Sequence, residues 1–385
     1  MKVIQLVERF VFETPVWRLV AVVVAVMVVR TGVWYIPNLE QSRAIAANPF
    51  VNPLSDPLAQ YLYWTWLGPF LAWLIGANGR LGFFLFYLGV SVAFTSLFIG
   101  VAVSRFPDHT ARAAIILFAI VPVSATVYFW VGYDSLTLFL MLLGLAYQQY
   151  TFVTLVTGVG LGMHHFEQGA MAAAGLLLAN CLSRRVVPSG VPCQKDPLHA
   201  SSSGHSIRFP LLLLVAVIVG KVILIGLFTY FAATVNSGRL LYVADARLAV
   251  KAFAFHGHYA VWSILGLGWL VALRYLDLAR QALPFFVALF CLLLLLPIAG
   301  DQTRIVGIIT FPLIAEYWLL NQHFLKQLAR REIAVIFAAW VLMPWSWTWN
   351  GIPMWSVFPY DVAYILHKIL GWPAVPADPS LWPFQ

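Results

Sequence analysis

The chain consists largely of apolar stretches of the length that crosses a lipid bilayer, joined mostly by short polar loops. This pattern excludes an ordinary soluble fold. Backbone polar groups in hydrocarbon must be satisfied within the protein, and a helix does this inside one segment. Apolar runs at 16–36, 81–103, 111–130, 134–147, 151–163, 169–182, 209–235, 259–273, 283–299, 303–320 and 333–349 give about eleven crossings. Hydrophobic residues make up 62% of the sequence and charged ones 10%. The expected fold class is therefore all-α, a polytopic bundle of membrane helices.

One apolar segment differs from the rest. Residues 57–75 are amphipathic and carry Tyr61, Tyr63, Trp64, Trp66 and Trp73, a density of aromatics suited to a helix lying in the interface. The expected organisation is an N-terminal membrane module over 1–182 with its first outer loop and this interfacial helix. A cytoplasmic linker over 183–208, membrane helices over 209–350 and an outer tail rich in Pro and Trp over 351–385 complete it. No repeat of fixed period is visible, so inverted transporter halves are not suggested.

The net charge of +8 resembles a nucleic-acid signal, yet the basic residues cluster in short loops between apolar runs. Loops at 105–112, 184–208, 274–280 and 326–331 all become cytoplasmic if 57–75 does not cross, as the positive-inside rule demands. Membrane lipids, not nucleic acid, are the expected partners of this charge. The apolar run after a basic start resembles a signal sequence, but no small-residue cleavage site follows, and a retained first helix is expected. Cys181, Cys193 and Cys291 have no spacing suited to zinc or a disulfide framework. The N-terminus is then inside, and Glu40, Asp56, Asp134, His164, His165, Glu167, Asp245, Asp301 and Arg304 all fall outside. Such asymmetry suits an active site on the outer face of a multi-pass protein, with a bacterial inner (cytoplasmic) membrane as the expected location.

Asp56 precedes Pro57 and an apolar stretch, which reads either as a helix N-cap or as a general base at the mouth of a cavity. Glu40 is the alternative base. The run His164-His165-Phe166-Glu167 breaks an apolar stretch. It reads as a solvated turn, as ligands for a divalent cation such as Mn²⁺ or Zn²⁺, or as sugar and phosphate contacts, the last favoured because only one carboxylate is present. Asp301 can cap a helix whose first turn carries Arg304, which either pairs with Asp301 or meets a lipid phosphate. Asp134 either caps its helix or reaches a cavity. Arg239, Asp245, Arg247, His256 and His258 read as an outer loop, either able to close over substrate or simply mobile surface charge. Lys221 lies mid-span and is expected to face the bundle interior.

One long helix, an outer loop with a carboxylate and then an aromatic interfacial helix resembles the GT-C class of integral-membrane glycosyltransferases. The resemblance rests on Asp56, Tyr61, Trp64, Trp66, Gly68, Pro69 and Phe70, with a further likeness over 122–124 and 130–135. It covers roughly the first half of the chain, and the tight acidic pair of many members is absent. The resemblance implies a polyprenyl-phosphate sugar donor, an acceptor glycan, lipid or protein, and a carboxylate of the first outer loop as base. On that reading Asp56 or Glu40 is catalytic, and Trp64, Trp66, Asp134, His164, His165, Glu167, Asp301, Arg304, Arg239, Arg247 and His258 bind substrate. No cofactor beyond the divalent cation already considered is indicated. A polysaccharide polymerase or ligase is the rival enzyme, and a transporter or flippase of lipid-linked substrates is the rival of another class.

Overall fold

The computed structural model describes residues 2–36, 38–57, 59–186, 206–235, 246–279, 282–349, 352–356 and Ile369. The described chain is mostly helical, and its one sheet is a two-stranded hairpin. Helix α1 (Lys2–Glu13) precedes α2 (Val16–Thr31), and the two meet at a bend of 116° where Pro15 supplies no backbone N–H to continue the first. Helix α1 is amphipathic, with Gln5, Glu8 and Arg9 opposite Val7 and Val11. It was not anticipated, because the sequence reading placed the first helix at 16–36 and treated what precedes it as a flank.

The connection between α2 and α5 holds α3 (Leu39–Ala47), a 3-10 helix (Gln60–Thr65) and α4 (Leu67–Leu74). The interfacial helix expected over 57–75 is thus two short pieces. Next come α5 (Arg80–Arg105), α6 (Asp108–Ile120), α7 (Pro122–Phe129), α8 (Tyr133–Ala146), α9 (Thr151–His164), α10 (Phe166–Val186) and α11 (Arg208–Tyr230). The remaining helices are α12 (Ala246–Leu265), α13 (Gly268–Leu278), α14 (Ala282–Leu293), α15 (Gln302–Ile314), α16 (Gln322–Gln327) and α17 (Arg330–Leu342), with a π-helical turn at Ala315–Leu319. Strands β1 (Ser346–Trp349) and β2 (Ile352–Trp355) pair antiparallel, Ser346 opposite Trp355.

Among the described residues, α5 and α11 are each long and apolar enough to cross a membrane, and bent pairs raise the number to five if each pair is one span. Helix α6 breaks into α7 at 61° just before Pro122, and α12 breaks into α13 at 72° around Gly266. Helices α8, α9 and α14 are apolar but too short to cross alone. Helix length therefore does not deliver the eleven crossings counted from apolar runs, because those runs contain breaks that composition alone does not register.

Helices α6 and α7 and the first half of α8 are buried on all sides, which makes them the centre of the bundle. Helix α11 instead exposes Leu211, Val215, Ile218, Val222 and Ile225, an apolar surface facing away from the core. Its other side meets α9 through small residues: a Cβ on Gly220 would strike the Val159 carbonyl, and one on Gly162 the Val217 carbonyl. Close helix approach of this kind needs glycine at the crossing. Gly220→Val is therefore expected to destabilise the fold by at least about 1–3 kcal/mol, since backbone, not a movable side chain, blocks the new methyls. Thermal unfolding in detergent measures this, and an unchanged melting temperature would mean that α9 and α11 can separate without loss.

Candidate active site

Several chain breaks meet at one place in the bundle. After α2 the chain runs alongside the α7–α8 connection, with Val131 N–H donating to Trp34 O at 2.8 Å and Ile36 N–H to Val131 O at 3.2 Å. A Cβ on Gly132 would strike Ile36, so glycine lets the segment after α2 lie against the start of α8. The first turn of α8 carries Asp134, the α9–α10 break carries His164 and His165, and the start of α15 carries Asp301 and Arg304.

Arg304 joins the acidic residues. Its Nε lies 3.0 Å from Asp134 Oδ2 and its Nη1 lies 3.2 Å from Asp301 Oδ2, while Nη2 takes part in neither pair. The guanidinium also stands 5.7 Å from the centre of the Tyr133 ring. Both expected roles of Asp301 hold: its Oδ1 accepts from Arg304 N–H and caps α15, and its carboxylate pairs with the Arg304 side chain. Burial raises the Asp301 carboxyl above the usual carboxylate range, against the opposing pull of Arg304 and of the Trp347 indole. Asp134 does not cap α8; it turns into the protein and meets Arg304.

The Asp134 side chain is only 1% exposed. Neither of its oxygens, nor Asp301 Oδ2, receives an aligned hydrogen bond among the described residues. The two contacts to Arg304 are charge pairs without good N–H alignment. Buried carboxylate oxygens in this condition are uncommon in native proteins and favour a hydrogen-bond donor brought by a ligand.

The two histidines have different surroundings. His164 is fully buried between carbonyls, Nδ1 lying 3.1 Å from Thr65 O and Nε2 2.8 Å from Tyr133 O. It ties the 3-10 helix to α8, a pinning role in place of the expected substrate contact. His165 Nδ1 lies 2.7 Å from Thr137 Oγ1 and 3.9 Å from Asp134 Oδ1, which links it to the acidic cluster. Glu167 is half-buried in the first turn of α10. Among the described residues, no three His, Cys, Asp or Glu side chains are grouped to hold a metal ion.

The two carboxylates expected as bases differ in their surroundings. Glu40 is half-exposed and paired to Arg43 at 2.7 Å and Arg80 at 3.2 Å. Asp56 is exposed and caps no α-helix, contrary to expectation; its carbonyl accepts from Ala59 and Gln60 N–H, forming the turn that starts the 3-10 helix. That turn leads directly to Tyr61, which receives a hydrogen bond from Asn38 at 3.0 Å and stands near Arg304 and Tyr133. Trp66 is buried, and its indole donates to Pro49 O at 2.7 Å, so it fixes the loop in place of lining a surface. Trp64 faces Lys221, whose Nζ stands 3.4 Å from the ring centre. The mid-span lysine thus has a cation–π partner that the sequence did not disclose.

Arg247, His256 and His258 lie on α12, not in a loop, and Arg247 and His258 are exposed. Arg239 and Asp245 lie outside the described residues. The hairpin was missed altogether. Trp347 Nε1 donates to Asp301 Oδ1 at 2.9 Å and Thr348 N donates to Thr303 Oγ1 at 2.8 Å, so β1 clasps the start of α15. Its signal was present: Ser-Trp-Thr-Trp at 346–349 alternates polar and apolar residues and is followed by Asn350-Gly351, the dipeptide of tight hairpins. Compared with protein-family models, with curated proteins and with solved structures, the chain matches none.

Proposed function

We propose that this chain is a multi-pass membrane glycosyltransferase of GT-C-like architecture, transferring a sugar from a polyprenyl-phosphate donor to a glycan, lipid or protein acceptor at the outer face. The observation that carries the reading is the buried Asp134–Arg304–Asp301 cluster, in which both Asp134 oxygens and Asp301 Oδ2 receive no aligned hydrogen bond among the described residues. Sugar hydroxyls supply such donors, and a sugar is the natural guest of a polar cluster set inside an apolar bundle. In this proposal about eleven segments cross or re-enter the bilayer, several of them as broken or short helices.

The base is Asp56. Asp56 is exposed on the turn leading to Tyr61 and the cluster, whereas the Asp134 side chain is buried against Arg304. It removes the proton of the acceptor hydroxyl as that oxygen attacks the anomeric carbon. The bond from that carbon to the phosphate oxygen breaks, and the Arg304 guanidinium steadies the departing phosphate. His165, positioned through Thr137, orients the sugar. Trp64 with Lys221 provides a stacking face and a charge beside it.

A transporter or flippase of lipid-linked substrates is the second reading, favoured by the broken helices and the internal charge pairs. Purified chain in proteoliposomes separates the two. Incubation with a radiolabelled polyprenyl-phosphate sugar and a panel of acceptors is expected to give labelled product and free polyprenyl phosphate. Movement of a fluorescent polyprenyl phosphate across the bilayer with no transfer to any acceptor would replace the enzyme reading with the transporter reading.

A further inference from the structure

A second buried arginine is built differently from Arg304. Arg30 closes the last turn of α2 after an otherwise apolar helix and is 7% exposed. One Nη2 bond, 2.5 Å to the Met343 carbonyl, and a cation–π contact 5.1 Å from the Trp340 ring centre are its recorded interactions. Its Nε is buried with no acceptor, and among the described residues no carboxylate pairs with it. Arg304 has two carboxylates and Arg112 has Asp108. A guanidinium carries five donors and stays charged, so burial without an anion is costly at any depth in such a bundle.

This side chain lines a small cleft that is partly open to its surroundings. Its walls include Pro122, Trp262, Trp340, Trp345 and Ser346, apolar and aromatic for the most part. The cleft lies on the other side of β1 from the candidate active site. Ser346 lines it, while the next residues, Trp347 and Thr348, hold Asp301 and Thr303. The cationic fork, the missing counter-charge and the aromatic walls converge on one ligand chemistry, an anion attached to something apolar.

We propose that Arg30 and this cleft bind a phosphate group, carried by a lipid headgroup or by free inorganic phosphate, at a site separate from the Asp134–Arg304 cluster. The planar fork offers two parallel donors to two phosphate oxygens, and the tryptophans accept the apolar part of an amphiphile. The inference does not depend on glycosyl transfer; it would hold equally for a transporter.

The test uses the full chain purified in detergent, with bound lipid counted by native mass spectrometry and melting followed in parallel. Phosphatidylglycerol, diacylglycerol and inorganic phosphate are added separately. Wild type is expected to retain one phosphatidylglycerol more tightly than Arg30→Gln does, with affinity about tenfold or more apart, and to ignore diacylglycerol. Arg30→Lys should fall between. Stabilisation by phosphatidylglycerol alone identifies a lipid as the source, and equal stabilisation by inorganic phosphate identifies the free anion. Ser346→Phe, which fills the cleft and leaves the guanidinium in place, should also abolish retention and covers the case in which Arg30→Gln does not fold. Equal retention by wild type and both blocking variants, or no response of wild type to either phosphate source, overturns the proposal and leaves Arg30 as a clamp on the end of α17.

Discussion

Arg304→Met is expected to destabilise the protein by about 3–5 kcal/mol, the scale for removing one partner of a buried charge pair. The loss is large because two carboxylates depend on the same guanidinium. Asp134 lies 3.0 Å from its Nε and Asp301 lies 3.2 Å from its Nη1. Without Arg304 both are left buried in apolar surroundings with no compensating charge. Asp134→Asn should then restore part of the loss in the double variant, because a neutral amide no longer needs the guanidinium. Melting temperatures of the two single variants and the double measure this. Additive losses, with no rescue, would show that the two side chains do not act as a pair.

Asp56→Asn is expected to leave the melting temperature nearly unchanged and to reduce sugar transfer by roughly 10²-fold or more, the scale of general-base loss. Stability is spared because the Asp56 side chain is exposed and caps no α-helix; the turn it begins is made by its backbone carbonyl, which asparagine keeps. Glu40→Gln removes only exposed pairs with Arg43 and Arg80, worth little in water, and transfer should persist. The opposite result, an active Asp56→Asn and a dead Glu40→Gln, would transfer the role of base to Glu40.

The helical character of the chain, the Asp301 cap and the Asp301–Arg304 pair were legible in the sequence because they depend on local spacing. A cap needs a side chain within one turn, and an i, i+3 pair needs one helix. The contact between Asp134 and Arg304 was not legible, since it joins the first turns of α8 and α15 and depends on how the bundle closes. The same holds for Lys221 on α11 and Trp64 in the 3-10 helix, which are far apart in sequence and meet only in the folded bundle. Residues 164–165 were singled out correctly as a break in an apolar run, yet one histidine pins backbone and only the other touches the acidic cluster. Which is which depends on tertiary neighbours. The hairpin is a different case, because its alternation and its Asn350-Gly351 were readable, but composition rich in Pro and Trp concealed them.

The bends in the helices have a mechanical consequence. Gly266, at φ +53°, lies where an added Cβ would come 3.3 Å from Pro122 Cγ, so the bend between α12 and α13 rests on the bend between α6 and α7. Both bends border the cleft of Arg30. A side chain placed at Gly266 would press on Pro122, so strain introduced at one bend is expected to reach the other.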